Sequence, residues 1–71
     1  MLDENKILGE IDSIKSEVEK ETQELERKRG LLYYTMLKND RTILSSLDEI
    51  ERCCVDNRNL REKLDEDSLD V

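Results

Sequence analysis

Ile7, Ile11, Ile14, Val18, Leu25 and Leu32 follow one another at spacings of four, three, four, seven and seven residues. This is the heptad signature of a helix with one apolar seam, and it constrains the chain more than any other feature. Ile7 and Ile14 take the d positions, and Ile11, Val18, Leu25 and Leu32 the a positions. β-Branched residues at a favour two parallel strands. The d positions then turn polar at Glu21, Lys28 and Thr35, so the seam is tight over 7–18 and loose over 21–30.

A second seam is visible from the other end. Leu64, Asn57, Ile50, Ile43 and Met36 recur every seven residues as d positions, with Arg61, Cys54, Leu47, Asp40 and Tyr33 at a. The two seams are out of phase by one residue, because the first arrives at Leu32 and the second departs from Tyr33. A helix absorbs such a slip by local unwinding, a widened seam or a break. It falls inside Arg29–Leu37, "RGLLYYTML", behind Gly30 and across both aromatic residues of the chain.

The expected fold class is all-α: a long helix forming a parallel two-stranded coiled coil, with a heptad phase break near residues 30–37. Charged residues make up 44% of the 71, and Pro is absent, which suits a long solvated helix better than a self-contained globular core. Opposite charges at i, i+4, such as Glu24 with Lys28 and Asp48 with Arg52, add a few tenths of a kcal/mol each. Asp3 is placed to cap the start. An unbroken helix from 3 to 65 would be about 95 Å long at 1.5 Å per residue. The alternative is a helical hairpin that dimerises into a four-helix bundle. Its turn would lie at Lys38–Arg41, with Asp40 as a cap and Ser46-Leu47-Asp48-Glu49 as a capping box.

The expected segments are an N-terminal seam (1–29), an apolar node with the phase break (30–41), a C-terminal seam (42–65) and an acidic, frayed tail (66–71). Asp65-Glu66-Asp67 puts negative charge at the unfavourable end of the helix dipole. The expected oligomerisation seam is Ile7, Ile11, Ile14, Val18, Leu25, Leu32, Met36, Ile43, Leu47, Ile50, Cys54, Asn57 and Leu64. Asp40 and Asn57 would fix register at some cost in stability.

Leu31, Tyr34 and Leu37 lie outside both phases and, with Tyr33, form an apolar cluster too wide for a two-stranded seam. Arg27, Lys28, Arg29, Lys38 and Arg41 surround it, with Asp40 as the one acid between 27 and 41, a local charge of +4 in a chain of −7. The expected partner-docking residues are therefore Leu31, Tyr33, Tyr34, Leu37, Arg27, Lys28, Arg29 and Lys38. Contiguous exposed apolar patches mark interaction sites, and Tyr suits a wet interface. A widened interface between copies of the chain is the competing use of the same cluster.

Several function classes are disfavoured. The net charge of −7 argues against nucleic acid and anionic membrane as partners. No apolar run approaches the roughly 20 residues of a membrane span. Met1-Leu2-Asp3-Glu4 is acidic where a secretory signal is basic, so an intracellular location, cytoplasmic or nuclear, is expected. Cys53 and Cys54 are adjacent and have no His to complete a metal site, so they are expected to be reduced thiols, with no cofactor and no metal. The chain has no glycine-rich phosphate loop and no base beside Ser45 and Ser46, and is not expected to be an enzyme.

Tyr33–Asn39, "YYTMLKN", resembles over seven residues a short aromatic-Leu-basic-Asn segment of the end-binding microtubule proteins. The resemblance implies a parallel coiled coil entering a four-helix bundle that captures peptides. Thr35, Met36 and residues 43–71 depart from that pattern, and seven residues assign no family. The expected function is a non-enzymatic oligomerisation or scaffolding segment that dimerises its parent protein and docks another protein at the 30–41 node. Such seams occur in cytoskeletal, kinetochore and centrosomal assemblies. A tetramer, a peptide-capture module and a subunit of a hetero-oligomeric coiled coil are the alternatives.

Overall fold

The computed structural model describes residues 2–69 and is all-helical: α1 runs Glu4–Glu26 and α2 runs Leu31–Leu69. The two helices pack against each other as a hairpin 62 Å long and about 15 Å thick. α1 starts at the expected cap. The Asp3 side chain accepts a hydrogen bond from the Lys6 amide at 3.2 Å, satisfying one of the donors that a helix N-terminus leaves free. Its last turn tightens, with the Arg27 amide reaching Glu24 O and the Lys28 amide reaching Leu25 O at 3.0 Å.

The chain therefore departs from the continuous helix expected from its heptads, and the break falls at the phase slip. Gly30 has φ +136°, a backbone conformation that L side chains rarely adopt, and its carbonyl accepts the Tyr34 amide at 3.0 Å to open α2. A one-residue slip has to be absorbed within a single helix, whereas two separate helices each keep their own phase. The turn is not at Lys38–Arg41. Asp40 lies buried within α2 near the turn end of the pairing instead of capping a helix, and Ser46–Glu49 is mid-helix. α2 continues past Leu64 to Leu69, beyond the expected start of the acidic tail, while residues 70–71 lie outside the described ones.

The register is antiparallel and marked by cross-helix ion pairs. Glu4 pairs with Arg61 at 2.9 Å near the open end, Lys15 with Glu51 at 2.7 Å in the middle, and Glu26 with Arg41 at 3.7 Å near the turn. Seven-residue steps inward from Glu4–Arg61 bring Ile11 level with Cys54, Val18 with Leu47, and Leu25 with Asp40. The same steps from Lys15–Glu51 bring Leu8 level with Arg58 and Thr22 with Leu44. Among the described residues the buried apolar core is only Ile11, Leu25, Leu47 and Cys54. Leu8, Val18, Leu37, Leu44 and Val55 are half-buried.

Candidate functional site

Five of the thirteen expected seam residues are used inside the hairpin and the other eight are left largely outside it. The a positions Ile11, Val18, Leu25, Leu47 and Cys54 face the partner helix, with Ile11 only 4% exposed. The d positions do not. Ile14, Met36, Ile43, Ile50, Asn57 and Leu64 are exposed and Ile7 is half-buried, and the a position Leu32 is exposed as well. Their places in the pairing are taken by the next residue along: Leu8, Lys15 and Thr22 on α1, and Leu37, Leu44, Glu51 and Arg58 on α2. Heptad spacing missed these because several are charged. The mirror placement of Glu4, Lys15 and Glu26 against Arg61, Glu51 and Arg41 is the signal that could have found them.

This arrangement gives the hairpin two unlike flanks. On one, Glu26 meets Arg41, and Asp48 approaches Lys15 beside Glu51. Asp12, Glu19 and Glu62 continue this charged flank by seven-residue steps. The opposite flank carries the displaced d positions of both helices. Lys15 and Glu51 are paired, so Ile14 and Ile50, each one residue earlier, lie on that flank within about 3 Å of each other along the rod. Ile7 neighbours Asn57 with the same offset, and Glu21 neighbours Ile43. The result is a strip of Ile14, Ile50, Ile43 and Met36 that the hairpin leaves nearly half exposed, with half-buried Ile7 at its open end and Asn57 and Glu21 beside it. Ile50 is 47% exposed although it belongs to a helix already packed on another.

Polar groups occupy the pairing at the expense of apolar ones. Lys15 is hydrogen-bonded to Asp48 and Glu51, which hold its ammonium pKa above the ordinary value of 10.5. The Arg58 guanidinium donates to Asn5 Oδ1 at 3.0 Å, and Arg61 donates to the Leu2 carbonyl. Asp40 is buried with Oδ2 lacking a hydrogen-bond partner. The Asp40 carboxyl beside Glu21 raises the Glu21 pKa, first by hydrogen bonding to its protonated form and then by charge repulsion, with Glu24 adding a smaller effect.

The expected docking cluster forms the turn end of the rod. Leu31 and Leu32 are 77% and 78% exposed at the start of α2, and Tyr34 is exposed beside them. Leu37 is instead half-buried in the pairing. Lys28 stands over the Tyr33 ring, with Nζ 5.6 Å from its centroid, a cation–π distance. Arg27, Arg29 and Lys38 are exposed around this apolar tip.

At the opposite end α2 overruns α1. Arg61 is level with Glu4, so residues 62–69 project beyond the first turn of α1. The side chains described there, and the turn leading to it, include exposed Leu60 and Leu64 with Glu62, Asp65 and Glu66. Cys53 is an exposed free thiol and Cys54 a buried one. Among the described residues no cluster of His, Cys, Asp or Glu could hold a metal ion, and no helix is long and apolar enough to cross a membrane. No protein-family model matches the chain, and comparison with curated proteins and with solved structures finds no match.

Proposed function

We propose that this chain is a non-enzymatic oligomerisation module, in which two helical hairpins pair through their apolar flanks to make a four-helix bundle that joins two copies of the parent protein. The observation that carries this reading is the partly exposed strip of Ile14, Ile50, Ile43 and Met36, which half-buried Ile7 extends. A compact monomer of 8.4 kDa would expose about 4,600 Å². The hairpin exposes 6106 Å². The paired part of that flank is as long as the 23-residue α1, about 35 Å, and about 15 Å wide, so it presents roughly 500 Å², below the ≈800 Å² per partner of a standard interface and suited to a pair that dissociates on dilution.

The sequence reading of a parallel two-stranded rod and this one use the same apolar residues differently. In the rod, a and d positions meet their own copies across one seam. In the paired hairpins, a positions close each hairpin and d positions join the two. Helices buried on two sides need an apolar stripe wider than a and d alone, and Ile7-Leu8-Ile11 and Ile43-Leu44-Leu47 have that width.

Sedimentation equilibrium over a wide concentration range tests the reading. The expected mass is that of two chains, with dissociation on dilution. Ile14→Asp with Ile50→Asp places charges on the flank without entering the hairpin pairing, so it should give a helical monomer. A wild-type chain that stays monomeric throughout, or a double variant that associates as the wild type does, would overturn the proposal.

A further inference from the structure

The two ends of the rod are complementary to each other and too far apart to meet within one molecule. The turn end carries exposed Leu31, Leu32 and Tyr34 ringed by Arg27, Lys28, Arg29 and Lys38. The open end carries exposed Leu60 and Leu64 with Asp65 and Glu66, against Lys63 as the one exposed cation among side chains 62–66, while Glu62 lies on the charged flank. Each end thus pairs an apolar patch with a surplus of one charge, and the signs are opposite. The ends are separated by most of the 62 Å length of the hairpin.

We infer that the occupant of the basic tip is the acidic, overhanging end of α2 from a second copy of this chain, so that the two hairpins lie antiparallel. This deepens the reading of the chain as a self-associating module and rests on it. An antiparallel two-fold places the turn of each hairpin beside the free end of the other. Both tips and both overhangs are then satisfied at once, and the Ile14–Ile50 flanks are brought face to face along the middle. A parallel pair would set Arg27, Lys28 and Arg29 against their own copies, and Asp65 and Glu66 against theirs, so both ends would repel. End-to-end joining would also match the charges, but it leaves the flank uncovered and produces an open chain of molecules where a two-fold closes.

Each tip cation contacting an overhang carboxylate is a rim pair, which sets orientation and partner choice more than affinity. The interaction is also screened by salt, with a Debye length of about 8 Å at physiological ionic strength.

Charge exchange on the full chain tests the orientation. Arg27→Glu with Arg29→Glu makes the tip acidic, and Asp65→Lys with Glu66→Lys makes the overhang basic. All four sites are exposed, and circular dichroism verifies that the hairpin is retained. Measured by sedimentation at low salt, each pair of changes alone should weaken the dimer by about tenfold, because a two-fold pair has both of its ends reversed at once. The quadruple variant should recover wild-type affinity, and the weakening of the single sets should shrink in high salt. Dimers indifferent to both sets, or a quadruple variant no better than either set, would overturn the antiparallel assignment and leave the self-association reading standing. A wild-type chain that is monomeric at all concentrations would remove both. Masses that keep growing with concentration would replace the closed pair by the end-to-end chain.

Discussion

Replacing Gly30 by Ala should shift this chain from a hairpin toward one long helix. Two effects act in the same direction. At φ +136° an Ala pays backbone strain, of order 1–3 kcal/mol for a non-Gly residue held in a sparsely populated region. In the competing straight helix, Ala at 30 gains about 1 kcal/mol of helix propensity over Gly. The balance therefore moves by roughly 2–4 kcal/mol, a factor of about 30 to 1,000 in the ratio of the two forms. Steric crowding contributes little, because the new Cβ would meet Tyr33 Cδ2 at an ordinary 3.6 Å. A stability difference of that size is a large share of what a hairpin with four buried apolar residues can hold. Small-angle scattering is the direct assay. The maximum dimension should grow from near the 62 Å of the hairpin toward about 100 Å for an unbroken helix over 4–69. An unchanged dimension and melting temperature would show that Gly30 does not hold the turn, and the account of the break would fail.

Further changes separate the two sets of apolar residues and the polar groups. Ile11→Ala removes the most buried apolar side chain and should lower hairpin stability by about 2–4 kcal/mol in urea unfolding. Ile50→Ala should instead act on association, seen as a concentration-dependent fall in melting temperature with a small effect at high dilution. The Glu21 pKa is raised in the folded state, so its contribution is favourable when protonated and is lost as pH rises through the folded value. Glu21→Gln should consequently be more stable than wild type at pH 7, and the two should converge as pH falls through the raised pKa toward the ordinary 4.5. A stability gap independent of pH would refute this. For Lys15, raised above 10.5, the stabilising charge is present at neutral pH and lost in strong alkali. Lys15→Gln should lower the melting temperature at pH 7 and flatten the alkaline decline.

How far the sequence reading carried follows from which signals heptads contain. Helix type, the Asp3 cap and the location of the discontinuity were legible, because periodicity, an acidic cap and a glycine beside a phase slip are local features. The a positions were legible too, since Ile11, Leu25, Leu47 and Cys54 are the buried core in either architecture. The fate of the d positions was not. Ile14 and Ile50 satisfy a parallel seam and an outer flank equally well, and the choice depends on whether Gly30 bends the chain. The residues that take their place include Lys15, Glu51 and Arg58, which carry no apolar signal. Their meaning appears only when position 15 is set against 51, and 4 against 61, a non-local pairing. Of the apolar cluster expected to dock a partner, Leu31, Tyr33 and Tyr34 are exposed, while Leu37 is drawn into the pairing because the helix starts at Leu31 and turns it toward α1.

Isotope-filtered NOE spectra of a one-to-one mixture of labelled and unlabelled chains test the central claim most directly. They report which apolar side chains meet within one chain and which meet between chains. If hairpins pair through their flanks, contacts of Ile11 and Leu25 with α2 residues will be intrachain, and contacts among Ile14, Ile43 and Ile50 will include interchain ones. Interchain contacts of Ile11 with Ile11 and of Leu25 with Leu25, with no intrachain contact between the two halves, would contradict the hairpin and restore the parallel rod.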